Sequence, residues 1–112
     1  RELFLYSQMK GILCFSSPFD FASVDLLNEL GMPLYKIASC DINNFPLIKH
    51  IAKIGKPIIL STGMSKISEI DEAVEVVRNT GNQNLILLLI MISMLIYLEQ
   101  LGSLDGIKVK RL

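Results

Sequence analysis

Cysteine is scarce in this chain, with only Cys14 and Cys40. Two isolated thiols exclude a disulfide-stapled secreted scaffold and a C-x-x-C metal pair, so a reducing, cytoplasmic setting is the expectation. The single histidine, His50, has no neighbouring His or Cys in the sequence and reads as a surface residue rather than a metal ligand. No excess charge of either sign exists: 11 basic residues balance 11 acidic ones. Nothing therefore steers the chain toward nucleic acid or an anionic membrane surface. The longest apolar run, Leu85 to Leu98, is broken by Ser93 and falls short of the ~18 to 20 residues that span a bilayer. Arg1-Glu2-Leu3 opens the chain without a charged n-region, an apolar h-region or a cleavage site, and reads as an internal start. What is present, 51% hydrophobic and 20% charged residues in 112, suits one globular domain.

Apolar runs alternate with helical periodicity. Residues 2 to 9 read as a helix, and Ile12 to Phe15 as a first strand ending in Ser16-Ser17-Pro18. Asp20 stands where an N-cap would, before Val24, Leu27 and Leu30 at helical spacing. Gly31 closes that helix, Pro33 prevents its continuation, and Leu34 to Ala38 make the next strand. The punctuation then repeats. Asn44 caps, Pro46 sits near the first helical position, Leu47, Ile48 and Ile51 form the buried stripe, and Gly55-Lys56-Pro57 stops the helix before a strand at Ile58 to Leu60. Ser68-Glu69-Ile70-Asp71 resembles a capping box, with Ile67, Ile70, Val74 and Val77 on one face. Gly81 follows, and Leu85 to Ile90 reads as a further strand. Continuously apolar strands separated by amphipathic helices predict an α/β fold, a parallel sheet of about four βα units. A leucine-rich repeat is the alternative at this period, but its L-x-x-L-x-L signature is absent.

In parallel α/β sheets, ligands sit beyond the carboxyl ends of the strands. Those ends are rich in hydroxyls here: Ser16-Ser17, Ser39-Cys40-Asp41 and Ser61-Thr62-Gly63. Lys36 interrupts an apolar strand, where an ammonium needs an anion or hydrogen bonds to offset its desolvation. A ring of small donors around one cation suits a phosphate or a carboxylate. The plainer alternatives are open on this pattern: serines as turn formers or caps, Lys36 snorkelling at a sheet edge, and Asp41 as a turn residue. Lys36 as a Schiff-base nucleophile is a further reading. Strict alternation puts Lys36 and Ser39 on opposite faces, so a shared ligand requires Ser39 to lie past the strand end. Cys14 reads as a small hydrophobe in a strand, and nothing local argues for a thiolate at Cys40.

Three motifs in order, Phe15-Ser16-Ser17-Pro18-Phe19-Asp20, Tyr35-Lys36-Ile37-Ala38-Ser39-Cys40-Asp41-Ile42-Asn43-Asn44 and Ile59-Leu60-Ser61-Thr62-Gly63-Met64, resemble the sialic acid synthase (N-acetylneuraminate synthase) family. The resemblance covers residues from about 2 to 87. It implies part of a (β/α)8 TIM barrel and a carbon-carbon bond-forming transferase. Such enzymes condense phosphoenolpyruvate with an N-acetylated hexosamine, N-acetylmannosamine or similar, to give a nonulosonic acid and phosphate. By position, Ser17, Lys36, Ser39 and Ser61 match the phosphoenolpyruvate-binding residues, and Asp41 matches an acidic residue acting near the sugar aldehyde or the attacking water. The family uses a divalent metal, manganese or magnesium, whose ligands have no counterpart in this chain. Cys40 replaces the family's usual glycine, where a Cβ would crowd a ligand or forbid a positive φ. Residues 88 to 112 are a divergent tail, because Leu88-Leu89-Ile90-Met91 stands where a His-Cys motif is expected. The expected product is a central barrel piece that binds substrate without turnover. The alternative is an interaction module, a homo-oligomer formed through open sheet edges.

Overall fold

The structure is a computed structural model, described over residues 1–89. Most of the divergent tail and the end of the apolar run from Leu85 to Leu98 lie outside the described residues. The chain starts with helix α1 (Glu2–Met9), followed by α2 (Phe21–Glu29) and strand β1 (Tyr35–Ile37). A 3-10 turn (Ser39–Asp41) leads into α3 (Phe45–Lys53), then come β2 (Ile58–Ser61), α4 (Ile67–Arg78) and β3 (Leu85–Leu88). The three strands are parallel in the order β1-β2-β3, with Tyr35 opposite Ile58 and Ile58 opposite Leu85. Strand order follows chain order without reversal across these three strands, as in a stretch of singly wound α/β sheet.

Local chemistry sets most boundaries. Asp20 caps α2 by accepting the Ser23 N–H at 2.8 Å, and Asn44 caps α3 by accepting the Leu47 N–H at 3.4 Å. Gly31 and Gly55 hold φ of +76° and +79° just past α2 and α3, the left-handed turn that a side chain would resist. The capping box lies two residues earlier than the spacing predicted. Lys66 is the N-cap and Glu69 reaches back to its N–H at 2.7 Å. Only this half of the box forms, since a lysine side chain has no acceptor to return.

The sheet is covered on one face. Tyr35, Ile37, Ile58 and Leu60 are at most 1% exposed under the helices, and α3 supplies Leu47, Ile48, Ile51 and Ala52 to the same core. Burying Leu47, Ile48 and Ile51 contributes roughly 5 to 9 kcal/mol at about 1.5 to 3 kcal/mol each. Helices α2, α3 and α4 pack successively as one layer. On α4, Ala73 and Val77 are buried and Ile70 and Val74 half-buried, but Ile67, the first residue of the helix, is exposed, contrary to the predicted stripe.

Two sequence expectations need correction. Ile12 to Phe15 is not a strand: a single bridge joins Ser16 to Tyr35, with the Lys36 N–H donating to the Ser16 carbonyl at 3.2 Å. Ile12 and Leu13 are 63% and 65% exposed, so no second layer rewards extending the ladder. The parallel sheet thus has three strands and one bridged position, not four complete βα units. The strand predicted at Leu85 to Ile90 ends at Leu88 within the described residues. Cys14, read as a strand residue, lies outside any strand but packs against the core as a small hydrophobe.

Candidate functional site

Register and alternation decide which candidate residues share a face. Ser16 lies opposite Tyr35, and Lys36 lies opposite Ile59, which lies opposite Ile86. Lys36, Ile59 and Ile86 therefore form one row on the face away from the helices, and Ser17 directly follows the residue bridged to Tyr35. Ser61 belongs to the next row on that face, about 6.6 Å further toward the carboxyl ends of the strands. Ser39 begins the 3-10 turn beyond the last residue of β1, so it escapes the alternation that would have pointed it away from Lys36. Lys36 and Ser61 thus share the sheet face away from the helices, and Ser39 lies just past the end of β1.

The environments differ. Ser17, Lys36, Ser39 and Asp41 are half-buried, whereas Ser61 is 5% exposed. Lys36 makes no ion pair among the described residues, leaving its charge without an internal counterion. The Ser61 Oγ is buried without a hydrogen-bond partner among the described residues. An orphaned hydroxyl costs about 1 to 3 kcal/mol and calls for an acceptor or donor at that spot. Beside it, Thr62 is committed, its N–H donating to the Leu88 carbonyl at 3.0 Å and its Oγ1 to the same oxygen at 3.4 Å.

Asp41 is bound into its own loop. Its N–H donates to the Ala38 carbonyl at 3.0 Å and its own carbonyl accepts the Asn44 N–H at 2.9 Å. Its carboxylate accepts the Cys40 thiol at 3.7 Å. Cys40 is exposed in the 3-10 turn, and among the described non-glycine residues positive φ occurs at Met64 alone. The glycine-to-cysteine departure therefore meets no left-handed backbone here.

The loop after β2 is a tight turn in which the Ser65 N–H donates to the Thr62 carbonyl at 3.2 Å. Met64 has φ +67° and Gly63 does not adopt a positive value, which is the type II pattern. A side chain in that region costs about 1 to 2 kcal/mol, and the strain lies directly beside Ser61. A separate open cleft of about 340 Å³, lined by Phe19, Asp20, Phe21, Asn44, Pro46 and Leu47, contains none of the five candidate residues. It sits between two helix starts whose caps are already satisfied.

Several contributors have no signature in the sequence. Asn43 donates to Glu69 across 26 positions at 3.1 Å. Glu69 is held below the usual carboxylate range, first by the Lys66 N–H and then by the Asn43 amide. At the other end of the sheet, Asn82 is buried and its amide donates to the carbonyls of Lys56 at 2.9 Å and Ala52 at 3.3 Å. His50, expected on the surface, pairs its Nε2 with Asp25 at 2.8 Å in the helix layer.

Residues 1–94 match the NeuB family. The chain belongs to that family. N,N'-diacetyllegionaminic acid synthase of Campylobacter jejuni is 50% identical over 90 residues, covering 79% of this chain and 27% of that protein. The crystal structure of N-acetylneuraminic acid (sialic acid) synthetase from Leptospira borgpetersenii, in complex with citrate, superposes with a TM-score of 0.75. It is 38% identical, with 81% of this chain and 33% of that one covered. The spore coat polysaccharide biosynthesis protein of Bacillus subtilis gives a TM-score of 0.77 at 33% identity, covering 81% of this chain and 25% of that one. The chain spans about 27% of the length of the Campylobacter relative and comparable shares of the solved ones. N-acetylneuraminate-9-phosphate synthase of Homo sapiens is 36% identical over 78 residues, covering 70% of this chain and 22% of that protein.

A metal-dependent chemistry is implied by that family, but the donor set does not fit one here. Among the described residues no group of three His, Cys, Asp or Glu side chains gathers as a metal site. No helix among them is long and apolar enough to cross a membrane.

Proposed function

We propose that residues 1–87 are part of a (β/α)8 synthase barrel and provide its phosphoenolpyruvate-binding wall. Lys36 supplies charge to the phosphate or carboxylate, while the hydroxyls of Ser17, Ser39 and Ser61 supply hydrogen bonds. Asp41 stands where the acceptor aldehyde or the attacking water would approach. In the reaction, the methylene carbon of phosphoenolpyruvate bonds to the aldehyde carbon of an N-acetylated hexosamine, whose oxygen takes a proton. Water then adds to the resulting oxocarbenium carbon, and the C–O bond to phosphate breaks to release inorganic phosphate and the nonulosonic acid. Positive and hydrogen-bonding groups stabilise charge developing on these oxygens. No step is assigned to a metal, because its ligands are not among the described residues. The chain alone is expected to bind the phosphorylated acid without turning it over.

One observation carries this reading: among the described residues, a half-buried lysine without a counterion shares a sheet face with a buried serine hydroxyl without a partner. Calorimetric titration of the 112-residue chain with phosphoenolpyruvate tests it. Lys36→Met should weaken binding roughly 10- to 150-fold, the equivalent of a lost charge-assisted hydrogen bond of about 1.5 to 3 kcal/mol. Equal affinity in both proteins would remove Lys36 from the site.

A further inference from the structure

The two loops that carry the candidate residues come from different βα units. Residues 38–44 bring Ser39 and Asp41, and residues 61–66 bring Ser61. Within the first, backbone bonds run from Asp41 to Ala38 and from Asn44 to Asp41. Within the second, they run from Ser65 to Thr62. Neither set crosses between the loops. The crossing is made by one carboxylate: Glu69 Oε1 accepts the Asn43 amide at 3.1 Å while its Oε2 accepts the Lys66 N–H at 2.7 Å.

We propose that the Asn43–Glu69 pair is a positioning device that locks the two loops into one unit and so fixes Ser39 and Asp41 relative to Ser61. This deepens the phosphoenolpyruvate reading and rests on it for its ligand. Asn43 occupies the residue before the N-cap of α3, and Glu69 the third position of α4, so the contact joins the starts of both helices. A shared ligand gains from such a lock because donors held in place need not be ordered on binding. Both residues act through the loops rather than by touching the ligand.

The geometry makes an unusual set of substitutions informative. Asn43→Asp opposes two carboxylates and breaks the link. Glu69→Gln preserves it, because the Asn43 amide can turn over and accept from the new amide while the Gln oxygen keeps the Lys66 N–H. The double variant Asn43→Asp/Glu69→Gln restores the link with its polarity reversed and with the net charge of the wild type.

The test uses the ¹⁵N-labelled full chain, read by amide exchange without ligand and by phosphoenolpyruvate titration in the same samples. Asn43→Asp and the charge-free Asn43→Ala should accelerate exchange at Ser65 and Ile70, in the other loop and helix, roughly tenfold. Both should also weaken phosphoenolpyruvate roughly tenfold, as expected for donors no longer pre-placed. Glu69→Gln and the double variant should return both readouts to within about twofold of wild type. Exchange changes confined to residues 38–44, or failure of the double variant to restore Asn43→Asp, would overturn the lock. Unchanged phosphoenolpyruvate affinity in Asn43→Ala would overturn its positioning role. A wild-type chain that does not bind phosphoenolpyruvate would instead overturn the functional reading, while the exchange measurements still decide whether the loops are locked.

Discussion

Ser61→Ala should make this protein more stable and a poorer binder of phosphoenolpyruvate. The side chain is 5% exposed and its Oγ has no partner, so the folded state carries an uncompensated hydroxyl worth about 1 to 3 kcal/mol. Removing one oxygen leaves a void of roughly 10 Å³, which costs only about 0.2 kcal/mol at ~24 cal/mol per Å³. The net expectation is a gain of about 1 to 2.5 kcal/mol. With a urea m-value near 1 kcal/mol/M for a chain of this size, the unfolding midpoint followed by circular dichroism should rise by about 1 to 2.5 M at unchanged m. Tyr35→Phe is the matched control. Its phenol oxygen is also buried without a partner, but Tyr35 faces the helices, where burial foremost and the nearby Asp25 charge push its pKa up. Tyr35→Phe should therefore share the stability gain and leave phosphoenolpyruvate affinity unchanged. For Ser61→Ala, affinity should fall at least about fivefold, the loss of one net hydrogen bond near 1 kcal/mol. A lower midpoint in Ser61→Ala would mean the hydroxyl already has a partner, and equal loss of affinity in both variants would mean the effect is not local to the site.

Two other expectations concern the frame around the site. Asn82→Ala should cost about 2 to 3 kcal/mol in chemical unfolding, since it strands the carbonyls of Ala52 and Lys56 and the Asn84 N–H that the amide side chain now pairs. A change below 0.5 kcal/mol, the scale of ordinary surface substitutions, would show that water replaces the clip. The acid limb of stability should depend on Asp20 and Glu69, whose carboxyls are held low chiefly by the Ser23 and Lys66 backbone N–H groups respectively. A lowered folded pKa gives stability that is fully present above the ordinary carboxylate value near 4 and lost as pH falls below it. Replacing either residue by its amide should flatten unfolding curves below about pH 4, and an unchanged acid limb would contradict the assignment.

Punctuation was the most legible part of the sequence because it acts within one turn. Asp20, Asn44, Gly31 and Gly55 each satisfy or release a nearby backbone group, and each does so in the structure. The buried stripe of Leu47, Ile48 and Ile51 was legible for a similar reason, since helical periodicity is itself local. Two misreadings have one cause. Ser68 looked like a cap and Ile12 to Phe15 looked like a strand, but cap choice and ladder formation are decided by what lies across the gap. Glu69 turned back to Lys66, and Ile12 and Leu13 found no apolar cover.

The order of amino acids by itself determined an α/β chain with parallel strands, a lysine where a strand should be apolar, and serines at the carboxyl ends of β1 and β2. Motif spacing carried the family as well. Tertiary structure alone decided which of those groups face one another. The parallel register put Ser61 one row beyond Lys36 on the same face, the 3-10 turn carried Ser39 past the alternation, and burial left the Ser61 hydroxyl without a partner among the described residues. Helix caps and stripes arise from contacts a few residues apart, whereas a binding face is made by contacts some 20 positions apart or more, whose geometry exists only after the sheet has formed.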